Sequence, residues 1–347
     1  MGDTDDAYAS AGQHYTSSTR RDWVKRAWEE PALVRHLDAA LRRAHGLGMA
    51  TELDVLDVGC GTGVALDLLL TVPALMDGSL TLRRATGLDL DEGLLAIARE
   101  RFADDPRIGF RVGDLGDPPA TGPHGLVLSS GVPYSHLEPD ALRGALARLA
   151  EVALATAGAD GPRTTLLVVD VLGRSSLEWT SRWDRTRWDY RMSFFATDAD
   201  VPSTPMTTWS GSDLSAAIAA AAADVGATLA DLTLVDRSIA IGRHTMTGEY
   251  TPDLPRLRDL VDALADPDVT VDPSELRIDV ALPDAPDEVL AFHTAFATAW
   301  NAVLATAAAD GTPGPELAER LRAVEADVET AGLGVGHSLT AFAVLTA

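Results

Sequence analysis

Between residues 50 and 172 short apolar runs alternate with stretches of helical period. Leu53, Val55 and Leu56 open the first run, and residues 64–70 follow as an apolar helical pattern. Residues 84–91 (RATGLDLD) read as a second strand ending in acids, and residues 92–102 as a helix with Leu94, Leu95, Ile97 and Ala98 inward. Residues 108–112, 125–130 (GLVLSS) and 164–170 (TTLLVVD) read as the third, fourth and fifth strands, with a helix over 139–157 before the last. A helix over 212–226 leads to a sixth strand within 229–241. The apolar run 337–345 suits a closing antiparallel strand, with 339–345 as the seventh, although 238–243 could fill that place in a tight hairpin. Strands of this length alternating with helices imply βαβ units and an α/β fold with a doubly wound, mostly parallel sheet. The strands of such a sheet point their carboxyl ends at the ligand side.

Segments leaving those ends must cover the ligand. Three qualify: a helical lid at 1–45, an insertion at 173–210, and a helical insertion at 245–336 serving as cap or homodimer contact. The core then comprises 46–172 and 211–244, closed by a last strand in 337–347. In the lid, residues 22–41 read as helix, with Trp23, Ala27, Leu33, Val34 and Leu37 on related faces; in the large insertion, helices are expected over 254–264, 286–308 and 315–330. All seven tryptophans fall in the three covering segments and none in the core. Large flat side chains with a polar handle suit a pocket wall or a subunit contact. Residues 175–195, read as helix, put Trp179, Trp183, Tyr190 and Phe194 near one face, so Trp179 and Trp183 are substrate-pocket candidates; a packed amphipathic cap is the plainer alternative.

Composition narrows the partners. A net charge of −24 over 347 residues repels a phosphate backbone, so nucleic acid is excluded as a substrate. One cysteine, Cys60, rules out an internal disulfide and agrees with a reducing compartment. With no apolar run near twenty residues and no signal sequence, the chain reads as cytosolic and without a membrane partner. No cluster has metal-ligand spacing, so no metal is expected.

The chemistry centres on 55–63, VLDVGCGTG. Asp57 precedes glycines at alternate positions, Gly59, Gly61 and Gly63. Glycine lets the chain turn tightly and lets a ligand approach the main chain, and the following helix offers unpaired N–H groups. Dinucleotide enzymes space these glycines as G-x-G-x-x-G. The D-x-G-x-G-x-G spacing here instead resembles the first motif of class I S-adenosylmethionine (SAM)-dependent methyltransferases. An acid at the tip of the second strand suits a ribose diol, because one carboxylate accepts both hydroxyl hydrogens; its place after Gly-Leu assigns this to Asp89 rather than Asp91. Residues 113–115, Gly-Asp-Leu, resemble the family's third-strand end, which implies Asp114 beside the adenine amino group and Leu115 against the ring. The alternative for Asp114 is a turn aspartate. The resemblance covers roughly residues 50–172. It implies sheet order 3-2-1-4-5-7-6, SAM as cofactor, and cofactor contacts at Cys60, Leu90 and Ser130. It also implies a lid tyrosine near the methionine part, matched by Tyr15 in GQHYT.

A sulfonium methyl is already electrophilic, so the protein must align the acceptor and, for a hydroxyl, remove its proton. The loop after the fourth strand carries Tyr134 and His136, and the fifth ends in Asp170. His136 is the candidate base, with Asp170 orienting it or touching substrate. Tyr134 and His244 are candidates for the substrate pocket, and His14 and His244 are weaker candidates for the base. The leading expectation is methylation of a small molecule on oxygen or nitrogen, with carbon also open, plausibly in natural-product biosynthesis. Its rivals are a protein or peptide methyltransferase, a fold kept for binding or oligomerisation without catalysis, and a weaker NAD-dependent oxidoreductase.

Overall fold

A computed structural model describes residues 22–118, 122–155, 163–191 and 203–347. Tyr15, His14 and Phe194 lie outside them. The strands are β1 (Glu52–Val58), β2 (Thr81–Asp89), β3 (Ile108–Val112), β4 (Leu126–Leu128), β5 (Thr164–Gly173), β6 (Arg187–Arg191), β7 (Ser203–Trp209), β8 (Thr228–Arg237) and β9 (Ser338–Thr346). The helices are α1 (Glu30–Gly46), α2 (Val64–Leu70), α3 (Pro73–Met76), α4 (Glu92–Arg101), α5 (Pro139–Leu154), α6 (Gly211–Asp224), α7 (Leu257–Leu264), α8 (Asp287–Asp310) and α9 (Gly314–Ala326).

Strands β2, β1, β4 and β5 pair in parallel from β3 inward. Antiparallel β9 lines β5 from Thr164 to Leu172, and β8 lines β9 on its far side. The sheet therefore runs β3-β2-β1-β4-β5-β9-β8. With β8 and β9 as the sixth and seventh core strands, this is the expected order 3-2-1-4-5-7-6. The open choice for the seventh strand resolves to the run at 339–345; after β8 the chain turns away at Ser238 instead of doubling back.

Alternation in β1 explains the layering. Leu53 and Val55 face one core with α1 and α2, while Leu56 and Val58 face a second with α5 and α6. Both faces are buried, as a parallel sheet requires. A third core gathers the large insertion: Leu257 and Val261 of α7, Phe296 and Trp300 of α8, and Leu317 and Leu321 of α9. At 24 residues α8 is long and apolar enough to cross a bilayer by length and composition, and its Val289, Phe296, Trp300, Leu304 and Ala307 are buried within the fold. Trp300 Nε1 donates to the Leu276 carbonyl at 2.8 Å, fastening α8 into that core.

The segment after β5 departs from the helical expectation. A short 3-10 turn, Leu177–Arg182, is broken at Trp179 (φ −140°, ψ 50°) and gives way to β6. Trp188 and Tyr190 are buried while Asp189 between them is exposed. This period-two pattern, strengthened by aromatic strand preference, outweighs the helical spacing. Hairpin β6–β7 joins the sheet where β7 pairs with Leu172 and Gly173 of β5.

Asp170, fully buried on β5, receives Arg237 of β8 at 2.9 Å, Thr340 of β9 at 2.7 Å, and the Gly131 and Val132 amides at 2.8 and 3.3 Å. Removing one partner of such a pair strands a buried charge. Asp170→Ala should therefore lower unfolding free energy by about 3 kcal/mol or more. Thr340→Val, which removes only a hydroxyl, should cost about 1 kcal/mol. Urea denaturation read by tryptophan fluorescence checks both.

Candidate functional site

At the carboxyl edge of β1 the chain turns through positive φ at Gly59 (69°), Gly61 (52°) and Gly63 (78°), and α2 starts after Gly63. The loop is tied to the end of β2: the Cys60 amide donates to the Leu88 carbonyl at 2.9 Å, and the Gly61 amide to Asp89 Oδ2 at 2.8 Å. A Cβ built on Gly61 meets nothing within 4 Å, and Gly61 lines a cavity of about 470 Å³. Glycine is thus needed at 61 for the turn and to keep the space open.

Of the residues singled out in the sequence, Gly59, Cys60, Gly61, Asp89, Leu90, Asp91, Leu94, Gly113, Leu115, Ser130, His136 and Tyr190 are among those that line this cavity. Asp91 serves as N-cap of α4, accepting the Leu94 amide at 2.9 Å, which leaves Asp89 as the acid of this strand end in closest touch with the loop. Asp114 is exposed and accepts the Gly116 amide at 2.7 Å, so it closes a turn while Gly113 and Leu115 face the cavity. Gly63 sits off the wall, under Phe102.

Asp57 lies beneath the loop with no exposed surface, and neither carboxylate oxygen has a hydrogen-bond partner among the described residues. Burial, then the charge of Asp89, pushes its carboxyl up to about 8. The same surroundings push up the Cys60 thiol, through burial first and then Asp57 and Asp89. The loop therefore rests on acidic groups, one of them orphaned, beside a space wide enough for a ligand. SAM carries cationic sulfonium and ammonium groups, a ribose diol and an apolar ring. These residues fit it.

Four site expectations need correction. Asp170 does not orient His136, because its carboxylate is taken by Arg237, Thr340 and the Gly131 and Val132 amides. Tyr134 is fully buried in the core with Leu56, Val58 and Leu88, where burial and then Asp57 push its hydroxyl up. Trp179 and Trp183 are buried in an aromatic cluster with Trp188 and Tyr250; Tyr190 and Met206 of the same cluster face the cavity instead. His244 is also buried, edge-on to Tyr190 at 4.8 Å, and burial lowers its imidazole to about 4. Packing ranks these bulky groups inward and leaves the wall to their smaller or strand-borne neighbours.

His136 is half-buried, and its carbonyl accepts the Arg187 guanidinium at 3.4 Å. Burial, then Arg187, brings its imidazole down to about 4. Sequence reasoning missed His337, which lines the cavity with Nδ1 2.7 Å from Glu178 Oε1. It also missed Lys25, Glu29, Arg237 and Arg243 on the wall. A signal existed for His337: an antiparallel closing strand begins at the edge where its parallel neighbours end, so its first residues reach the ligand side. Among the described residues no group of three or more His, Cys, Asp or Glu side chains could hold a metal ion.

Residues 55–155 match the family model described as a methyltransferase domain. No curated protein matches the chain by sequence. Among solved structures, the chain is similar to one from the complex between the Haloferax volcanii Trm112 methyltransferase activator and a methyltransferase, with 18% identity over 98% of this chain and 96% of that one and a TM-score of 0.44. It is similar to an SAM-dependent methyltransferase from Clostridium acetobutylicum, with 12% identity over 66% of this chain and 90% of that one and a TM-score of 0.42. CalS10, an amino pentose methyltransferase from Micromonospora echinaspora, gives 18% identity over 66% and 90%, with a TM-score of 0.39.

Folded Asp57 keeps its proton up to about 8, whereas the unfolded chain releases it in the ordinary carboxylate range. Between those limits the folded state holds the extra proton, so stability falls as pH rises across the window. Asp57→Asn cannot ionise and should flatten that fall. The melting temperature of the ligand-free variant should exceed that of wild type by a margin that grows from about pH 5 to about pH 8.

Proposed function

From a chain whose residues 55–155 match a methyltransferase-domain family model, we infer that the protein uses SAM to transfer a methyl group to a small molecule held in the same cavity. One observation carries this: the cavity runs from the glycine loop to Tyr190 and Met206 of the aromatic hairpin and to His337 just before β9. A space of about 470 Å³ lies in the range of small-molecule sites. Cofactor groups at one end and an aromatic wall at the other suit two small ligands meeting edge to edge.

When bound, SAM supplies an activated methyl on sulfur. The protein's work is to hold, align and keep water away. The open backbone of Gly59 and Gly61 would admit the cofactor, Asp89 would take the ribose hydroxyls, and Leu90 and Leu115 would flank the ring. Asp89, on the cavity wall, offers a carboxylate to the cofactor's hydroxyl and cationic groups. Tyr190 and Met206 press on the acceptor. The leading segment contributes Lys25 and Glu29 to the wall and is pinned there by Arg258, which reaches Asp22 at 2.9 Å and Glu29 at 2.7 Å. Methylation on oxygen or nitrogen suits this wall better than an extended peptide, because both the leading segment and the hairpin line the space. A cytosolic setting and a place in natural-product biosynthesis accord with the acidic, small-ligand character.

Binding of S-adenosylhomocysteine by calorimetry tests this. Wild type should bind, and Asp89→Ala should weaken binding about 30-fold, or ~2 kcal/mol, as a charge-assisted diol contact is lost. Undiminished binding in the variant would remove Asp89 from the site. No binding by wild type would overturn the functional reading.

A further inference from the structure

Two histidines line the cavity, and their surroundings differ. His136 carries an imidazole lowered to about 4, a weak proton acceptor near neutral pH. His337 is held by a carboxylate. Its Nδ1 lies 2.7 Å from Glu178 Oε1, and Glu178 is 1% exposed. Burial pushes the Glu178 carboxyl up, but His337, His244 and the His244 amide outweigh it and hold it below the usual range. It stays ionised.

The support around this pair is specific. Glu178 Oε2 accepts the His244 amide at 2.5 Å, and Oε1 stands 3.3 Å from the Ser176 hydroxyl. A Cβ at Gly242 would meet Glu178 Oε1 at 1.9 Å, so only glycine lets the carboxylate reach this position. The His337 amide donates to the Ser238 carbonyl at 3.1 Å, and its carbonyl accepts the Gly173 amide at 3.2 Å. Its ring lies against Trp179 at 5.6 Å and His244 at 6.5 Å. A carboxylate on Nδ1 keeps a proton there and leaves the lone pair on Nε2.

We propose that His337, oriented by Glu178, is the catalytic base on the acceptor side of the cavity, and that the acceptor presents a hydroxyl to it. The proposal rests on the small-molecule methyltransferase reading. As the acceptor oxygen bonds to the methyl carbon, its proton passes to Nε2 of His337. The electron pair of the breaking carbon–sulfur bond stays on sulfur as a neutral thioether, and the imidazolium then returns its proton to water. Glu178 is a positioning residue, acting through the tautomer and orientation of His337.

Long-range proton–nitrogen NMR on histidine-labelled protein with S-adenosylhomocysteine bound tests this without knowledge of the acceptor. Wild-type His337 should carry its proton on Nδ1, and E178Q should shift the population toward the Nε2–H form. Diethyl pyrocarbonate should acylate Nε2 of His337 in the folded protein. H337N keeps a donor for Glu178 but lacks Nε2; it should melt as wild type does and bind S-adenosylhomocysteine within roughly twofold of it. An Nε2–H tautomer in wild type, or a His337 that reacts only after denaturation, would overturn the base assignment while leaving the cofactor site standing. Absence of S-adenosylhomocysteine binding by wild type would instead overturn the reading beneath it and the proposal together. Should E178Q fail to fold, the wild-type tautomer and the acylation result still decide.

Discussion

Irregular backbone gathered at the carboxyl edge of the sheet must find hydrogen bonds without water, and buried carboxylates supply them. Asp170 takes the amides of Gly131 and Val132. Asp236 takes those of Leu333, Gly334, Val335 and Gly336. Glu325 takes the Ile239 and Ala240 amides, and Glu178 that of His244. Each acid ties a loop to an element far away in sequence. The loops that form the site are therefore built as parts of the interior. Arg237 and His337, both on the cavity wall, hang from two of these acids.

The same device shapes the electrostatics. A charge of −24 is no statement about the fold, but buried acids are costly unless satisfied. Most are satisfied by amides or arginines. Asp57 is the contrast, fully buried with no hydrogen-bond partner among the described residues and with its carboxyl pushed up to about 8. Backbone amides go to Asp236 and Asp170, whereas Asp57 lies beneath the glycine loop as an acid that burial keeps protonated.

How much of this was legible in the sequence depends on which forces were local. The glycine loop, the acid at the end of β2 and the alternation of β1 are local backbone chemistry, and they read directly. The sheet order came from resemblance over the core, and the closing strand from its apolar run. The hairpin β6–β7 was misread because Trp179, Trp183, Tyr190 and Phe194 fit a helical face, while the alternation of Trp188, Asp189 and Tyr190 was decisive in the fold. Asp170 was legible as a strand-end acid, but its partner was not. Arg237 and Thr340 reach it from strands 67 and 170 residues on.

The large insertion shows why the acceptor side was the least legible part. It places none of its helices on the cavity wall, yet it fixes what does line it. Arg258 of α7 holds Asp22 and Glu29, and so sets the leading segment across the site. Glu325 of α9 holds the turn after β8 at Ile239 and Ala240, just before Gly242 and His244. Through that turn the insertion sets the approach of Glu178, and through Glu178 the ring of His337. Specificity in such an arrangement is determined two contacts away from the ligand, by residues whose own neighbours give no sign of chemistry. A change on α9 could alter acceptor choice without touching the cavity, because the position of a base depends on the rigidity of what stands behind it.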